Sequence, residues 1–286
     1  MEQSTFNEVD LLESLGFSPN NDGSIRCACP VHGGDNPTSF YYCPDRKIWR
    51  CWTNHCHKKH GGDLIGLVMA VKNIPYGEAL ALMKEVASPE DKKYFYKPAL
   101  PSAKREFKTY DGTALANLNH EVEYFLNRGL SATTLKAFQA FKCEIPNHQL
   151  YNRACFPIFT DENKIVGFVG RSPYGEQPKW LFYPKSFPKD LSLFGINIAK
   201  DKIRETGVAV LVEGQLDCVK LHEFGVSNAV GVFGNLLSAG QISLLIKYGA
   251  KALVLLLDPD KGGATGVSAI TNVASRYFQI NDLSSL

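Results

Sequence analysis

The chain has no apolar run near the ~18 residues that a membrane-spanning helix needs. Its first residues, Met1-Glu-Gln-Ser-Thr-Phe-Asn-Glu8, are acidic and polar, without the basic start and apolar middle of a signal peptide. A cytoplasmic protein with no membrane contact is expected. A dominant charge is also missing: 31 Lys and Arg stand against 29 Asp and Glu, a net +2, so bulk charge points to no particular partner. No internal repeat is evident. Over most of its 286 residues the chain is poor in cysteine as well, with Cys143, Cys155 and Cys218 scattered as plain core residues. The other five of the eight fall between positions 27 and 56. That clustering excludes a disulfide scaffold spread through a small secreted chain, and it favours metal.

The length suits two domains. An amphipathic helix is expected over 5–16 (Phe6, Val9, Leu11, Leu12, Leu15), then β-hairpin runs at Ser39-Phe-Tyr-Tyr42 and Lys47-Ile-Trp-Arg50. Asp63 reads as the N-cap of a helix that Pro75 ends, and Gly77–Val86 as a second short helix. Pro89, Pro98 and Pro101 punctuate a charged stretch without periodicity, which predicts a linker. Residues 113–140 read as helix, turn and helix, and 155–169 as a hairpin around Asp161-Glu162-Asn163. From Val208 strands and helices alternate: strands 208–212, 228–233 and 252–257, helices 215–224, 239–247 and 264–277. This alternation predicts a parallel sheet with crossover helices. The expected fold class is therefore α+β and α/β, with a small zinc-ribbon unit before an α/β unit.

Cys29-Pro-Val-His32 and Cys51-Trp-Thr-Asn-His-Cys56 can converge on one tetrahedral ion. Thiolate and imidazole donors suit Zn2+, and a closed four-ligand site folds its domain without doing chemistry. The expected ligands are Cys29, His32, Cys51 and Cys56. Four residues separate the last two where two are more usual, and Cys27, Cys43, His55, His57 and His60 could each substitute. Phe40, Tyr41, Tyr42, Trp49 and Trp52 interleave with Arg46, Lys47 and Arg50 here. Such a mixture can stack single-stranded bases, although at least half of these rings are expected to pack a small core.

Two apolar strands end in acid. Val208-Ala-Val-Leu-Val212 runs into Glu213-Gly214, with Asp217 beyond, and Ala252-Leu-Val-Leu-Leu-Leu257 runs into Asp258-Pro-Asp260. Carboxylates past strand ends sit where α/β sheets place their chemistry. Glu213, Asp217, Asp258 and Asp260 together would hold Mg2+ or Mn2+ against phosphate. An isolated Asp-Pro-Asp is also ordinary turn chemistry, so the weight rests on the combination.

Leu211-Val-Glu-Gly-Gln-Leu-Asp217, followed by Leu257-Asp-Pro-Asp-Lys-Gly262, resembles the TOPRIM domain. Cys29-Pro-Val-His32, Pro37-Thr-Ser-Phe40 and Gly62-Asp-Leu-Ile65 resemble a primase zinc-binding domain. Phe125-Leu-Asn-Arg-Gly-Leu-Ser131 is similar to the start of the primase core. Arg153-Ala-Cys-Phe-Pro-Ile158, Val166-Gly-Phe-Val-Gly-Arg171, Pro178-Lys-Trp-Leu181 and Leu193-Phe-Gly195 resemble its basic subdomain. All blocks follow the order found in bacterial and phage DnaG-type primases. The resemblance implies four segments: a zinc-binding domain over 1–88, a linker over 89–105, a basic subdomain over 106–205 and a TOPRIM subdomain over 206–286. It implies RNA primer synthesis on a single-stranded DNA template from ribonucleoside triphosphates, with a separate replicative helicase as partner. Glu213, Asp258 and Asp260 would be catalytic and Asp217 would support the metal site. Arg153, Arg171 and Lys179 would contact nucleotide or template phosphates. Another TOPRIM nuclease and a non-catalytic zinc-dependent DNA-binding protein are the alternative readings. Relatives carry a further acidic stretch on a strand after the last TOPRIM helix, for which only Asp282 is available.

Overall fold

The computed structural model describes residues 8–86, 108–113, 115, 118–259 and 261–284. The expected linker at 89–105 lies outside the described residues, as does Asp260. The described chain forms two compact units: one holds the residues before 87 with Ser275–Gln279, the other the remainder.

In the first unit α1 (Glu8–Ser14) buries Leu11 and Leu12. An antiparallel sheet follows, in the order β1 (Ile25–Cys27), β2 (Phe40–Cys43), β3 (Ile48–Cys51). Strand alternation divides its side chains. Ile25, Tyr42 and Trp49 are cross-strand neighbours on the inner face, and all are buried. Phe40 stacks between Phe17 and Trp49, with ring centroids 5.1 and 5.7 Å away. The buried Tyr42 hydroxyl donates to Glu8 Oε1 at 2.6 Å. Then come α2 (Cys56–His60), α3 (Leu64–Lys72) and α4 (Tyr76–Val86). Asp63 caps α3 as expected, accepting from the Gly66 amide at 3.0 Å. A methyl group at Gly66 would lie 2.4 Å from the His60 carbonyl oxygen, so only glycine lets α3 lie this close to the end of α2.

The second unit joins two sheets. Short helices α5 (Glu123–Leu126) and α6 (Ala132–Ala137) stand where longer ones were expected over 113–140. The antiparallel sheet runs β4 (Phe141–Lys142), β5 (Ala154–Phe159), β6 (Ile165–Arg171), β7 (Trp180–Tyr183). After it come α7 (Ile196–Thr206), β8 (Val208–Val212), α8 (Gln215–Glu223), β9 (Ala229–Gly231), α9 (Ala239–Lys247), β10 (Ala252–Leu255), α10 (Lys261–Ala274) and β11 (Gln279–Asp282). The second sheet has the order β11-β10-β8-β9, and β8 pairs in parallel with both β9 and β10. The strands and helices after 208 thus fall where the periodicity placed them, within a few residues. A strand does follow Phe278, and it occupies the sheet edge beside β10.

One aromatic core ties the sheets together. Phe125 stacks on Phe156 at 4.4 Å and Phe138 on Phe194 at 5.7 Å, in a cluster that includes Val210, Val212, Cys218 and Val219. Gln241, almost fully buried, donates through Nε2 to the carbonyls of Lys189, Ser192 and Val232. Its Oε1 accepts from the Ser238 amide, completing a capping box at the start of α9. This fastens the loop after β9 to the turn before α7. Burying a polar side chain without stabilising loss requires this kind of full satisfaction.

Candidate active site and metal centre

The parallel pairing of β8 with β10 decides where the acids go. Their register runs Val208 opposite Ala252 to Leu211 opposite Leu255, and both strands continue into acid at the same end. Glu213 and Asp258 therefore emerge side by side, and Glu213 Oε1 lies 3.4 Å from the Asp258 amide nitrogen. Gly214 is the N-cap of α8, which makes Asp217 its third helical residue. There the Asp217 carboxylate folds back so far that a methyl group on Gly214 would meet its Oδ2 at 2.5 Å. Much of Asp217 remains accessible, yet its carboxyl is held above the usual range, first by loss of water and then by the Asp258 charge. At the start of α10, a methyl group on Gly263 would lie 1.8 Å from the Asp258 carbonyl oxygen. Helix α10 can press on the acidic turn only with glycine there. Asp282 is exposed on β11 and accepts from the Ser284 amide at 3.0 Å. Ser284 in turn bonds the Leu257 amide through its hydroxyl at 3.0 Å, just before Asp258.

The predicted basic residues have three different settings. Arg153 is buried, 6% exposed, and its Nη1 reaches the Pro178 carbonyl at 2.9 Å and those of Gly170 and Lys179 at 3.4 Å. Its guanidinium thus holds the turn that carries Lys179, which is itself exposed. Arg171 donates to the Tyr124 hydroxyl at 3.2 Å and lies 5.3 Å from the centroid of Trp180. Arg128 faces the same Tyr124 ring at 5.1 Å. The ladder Arg128–Tyr124–Arg171–Trp180 keeps two guanidiniums oriented and solvated at their edges. Sequence reasoning missed the part of Tyr124, because nothing local marks a tyrosine that orients an arginine 47 positions away.

In the first unit Cys29, His32, Cys51 and Cys56 bring one donor atom each within 4.8 Å of one another. His32 Nδ1 lies 3.3 Å from Cys56 Sγ and 3.6 Å from Cys51 Sγ. No other such group occurs among the described residues. Burial pushes the Cys29 and Cys56 thiols up, and for Cys56 the Cys51 sulfur and nearby thiolate charge add to it. Three thiolates so close require a cation, and three sulfurs with one imidazole are a donor set that zinc takes tetrahedrally. The residues form a Cys3His zinc site. His57 supports it from behind, accepting the Cys51 amide on Nδ1 at 3.0 Å. Of the interleaved rings Phe40, Tyr42 and Trp49 are core, Tyr41 is partly exposed and Trp52 is open to solvent.

Residues 207–282 match the family model of the Toprim domain. The chain is 29% identical to a DNA primase of Clostridium acetobutylicum, covering 82% of this chain and 45% of that protein. It is 28% identical to a DNA primase of Aquifex aeolicus over 96% of this chain and 61% of that protein, and 27% to one of Deinococcus radiodurans over 94% and 52%. The chain spans about half the length of the curated relatives it matches. Its fold is similar to a crystal structure of the Aquifex aeolicus primase, zinc-binding and RNA polymerase domains. The TM-score is 0.52 at 24% identity, over 96% of this chain and 77% of that one.

Proposed function

We propose that this chain, a relative of the bacterial DnaG-type primases in sequence and fold with their zinc-binding and Toprim modules, synthesises RNA primers on single-stranded DNA. The observation that carries the reading is the emergence of Glu213 and Asp258 together past adjacent parallel strands, within the segment that matches Toprim. Glu213, Asp217 and Asp258 stand at one end of the sheet without forming a closed donor group among the described residues, so a divalent cation would have to draw them together. Mg2+ or Mn2+ at Glu213, Asp217, Asp258 and Asp260 would neutralise phosphate charge and lower the pKa of an attacking hydroxyl.

The remaining work falls to the chain itself. Lys179 and the edge of the Arg171 guanidinium stay free to meet triphosphate or template phosphates, and Arg153 fixes the turn that presents Lys179. The bond formed joins the 3′-hydroxyl of one ribonucleotide to the α-phosphorus of the next; the bond broken releases pyrophosphate. We assign 1–88 to zinc binding, 89–105 to a linker, 106–205 to the basic subdomain and 206–286 to Toprim. A separate replicative helicase is the expected partner, in the bacterial cytoplasm.

The full chain is incubated with single-stranded DNA of varied sequence, Mg2+ and labelled ribonucleotides, with and without the host helicase. Short RNA products that vanish in Asp258→Ala are expected. Absence of any product under all conditions overturns the reading, and cleavage of the DNA transfers it to a Toprim nuclease.

A further inference from the structure

The loop after β9 crosses the end of the parallel sheet. Pairing of β8 with β9 continues past the strands, the Val232 amide donating to the Val212 carbonyl at 3.0 Å, so the chain leaves the sheet beside Glu213. A methyl group on Gly231 would lie 3.2 Å from the Gly214 carbonyl oxygen, so the two turns run close together. β9 lies on one side of β8 and β10 on the other. The tip of the loop nevertheless reaches the helix that follows β10. Asn235 Nδ2 donates to the Gly262 carbonyl at 3.4 Å, in the first turn of α10. A methyl group on Gly266, one turn further on, would lie 2.9 Å from Asn235 Cβ and 3.0 Å from its carbonyl oxygen. Of the two ends of the Asn235 amide only the nitrogen can donate to a carbonyl, so the partner fixes which way the side chain points.

This loop is anchored at both ends and held in a costly shape. Phe233 adopts a φ of 62°, in the left-handed region, where a bulky side chain is a genuine outlier. Its ring is kept there by Phe187, Phe182 and Phe194, with centroids 5.1, 5.9 and 6.3 Å away. At the far end Leu237 is buried, and the Ser238 hydroxyl donates to the Asp190 carbonyl at 2.5 Å. Such strain persists only where the surrounding packing imposes it, and it concentrates at functional sites. What the shape achieves is the contact of Asn235 with α10. The residue after Gly262 is Gly263, whose backbone abuts the Asp258 carbonyl. Asn235 therefore grips α10 one residue from its contact with the acidic turn.

We propose that Asn235 is a positioning residue, which latches the glycine turn opening α10 and so holds the Asp258 turn beside Glu213. It acts through α10, not on the substrate. Glu213, Asp217 and Asp258 form no closed donor group among the described residues, so the position of the Asp258 turn sets how far a divalent cation must draw them. This deepens the reading above, and it rests on that reading for what the cation does there. The latch needs an amide donor at 235 and the absence of a side chain at 266, two conditions that can be removed separately.

The test combines hydrogen exchange of the full chain, read peptide by peptide, with Mn2+ binding followed by loss of the free ion's spin-resonance signal. Asn235→Ala is expected to speed exchange over 258–266 about two- to tenfold, the loss of one hydrogen bond, and to weaken Mn2+ binding by about the same factor. Exchange in β8 and the melting of the second unit should stay as they are, because Asn235 is partly exposed. Gly266→Ala should give the same two shifts with Asn235 intact. Alanine favours a helix interior over glycine, so a merely structural role predicts slower exchange there instead. Asn235→Gln, which keeps an amide donor, should lose less than Asn235→Ala. Unchanged exchange over 258–266 overturns the proposal, as does faster exchange with unchanged Mn2+ binding, or Mn2+ binding that Asp258→Ala leaves intact. These outcomes hold whether or not the chain makes primers. Both shifts in a chain that makes no primer under any condition leave the latch standing and remove the primase reading.

Discussion

The amide nitrogen of Asp258 stands 3.4 Å from Oε1 of Glu213, across two strands that the sequence separates by 45 positions. A carboxylate that bonds a neighbour's amide is oriented before any ligand arrives. Glu213 and Asp258 then stand at the same end of the sheet, where a cation would meet both residues. Glu213→Gln and Asp258→Ala are each expected to lower primer synthesis about a thousandfold, the equivalent of several kcal/mol of charge stabilisation. Zinc content and thermal unfolding should stay as they are, since neither residue packs in the core. Synthesis that survives Asp258→Ala at a tenth of its former rate would remove the acidic turn from the chemistry.

Arg153 separates what could be read in the sequence from what could not. Its match to a basic motif position suggested a phosphate contact, but 6% exposure and three carbonyl acceptors make it a structural hub. Burial depends on what surrounds a residue in space, and Pro178 and Lys179 reach Arg153 from 25 and 26 positions away. The place of Glu213 and Asp258 past the strand ends was legible because a strand's end is a local event: the apolar run stops and the acid follows. The zinc set was legible for a similar reason, since Cys29 and His32 share one turn and Cys51 and Cys56 bound another. Which rings were core was settled by the pairing of β2 with β3, a relation the sequence does not print. Arg153→Ala is expected to destabilise the second unit by about 1–3 kcal/mol, by removing a buried side chain and its bond to the Pro178 carbonyl. Arg153→Lys should recover part of that at most, because an ammonium lacks the planar fork. Lys179→Ala should instead raise KM for nucleotide without changing the melting temperature. Melting curves and initial rates for the three variants separate these roles.

Asp161, in the turn between β5 and β6, gives the second unit a pH dependence. Its Oδ2 accepts from Lys247 at 2.5 Å and from the Tyr248 hydroxyl at 2.7 Å, while its carbonyl accepts from Lys200 at 2.6 Å. Burial opposes the charge, but the bonds from Lys247 and Tyr248 win and hold the carboxyl below its usual range. A carboxyl depressed in the fold adds stability above its unfolded pKa, near 3.9, and that stability is lost as pH falls through the folded value. Asp161→Asn is therefore expected to cost about 1–2 kcal/mol at neutral pH, a figure kept low because Lys247 is half exposed. The gap between variant and unsubstituted chain should close below about pH 3. Chemical denaturation across that range checks it, and a pH-independent gap would refute the assignment.

Zinc should govern the first unit alone. Cys29, His32, Cys51 and Cys56 tie together the ends of β3 and α2 and the turn after β1, and Trp49 sits fully buried beside them. The core of the second unit, around Phe156, Phe194 and Val212, contains no ligand. About one zinc per chain is expected, and removing it with a chelator should unfold the sheet that carries Trp49 while the second unit keeps its own cooperative transition. Cys29→Ser should reproduce this without chelator. The thiols must lose protons to bind the ion, so retention should weaken steadily as pH falls. Zinc release followed by a chromogenic chelator, with tryptophan emission recorded in parallel, tests both statements. A red shift that precedes zinc release, or a second unit that melts along with the first, would show that the ion is not what holds this fold.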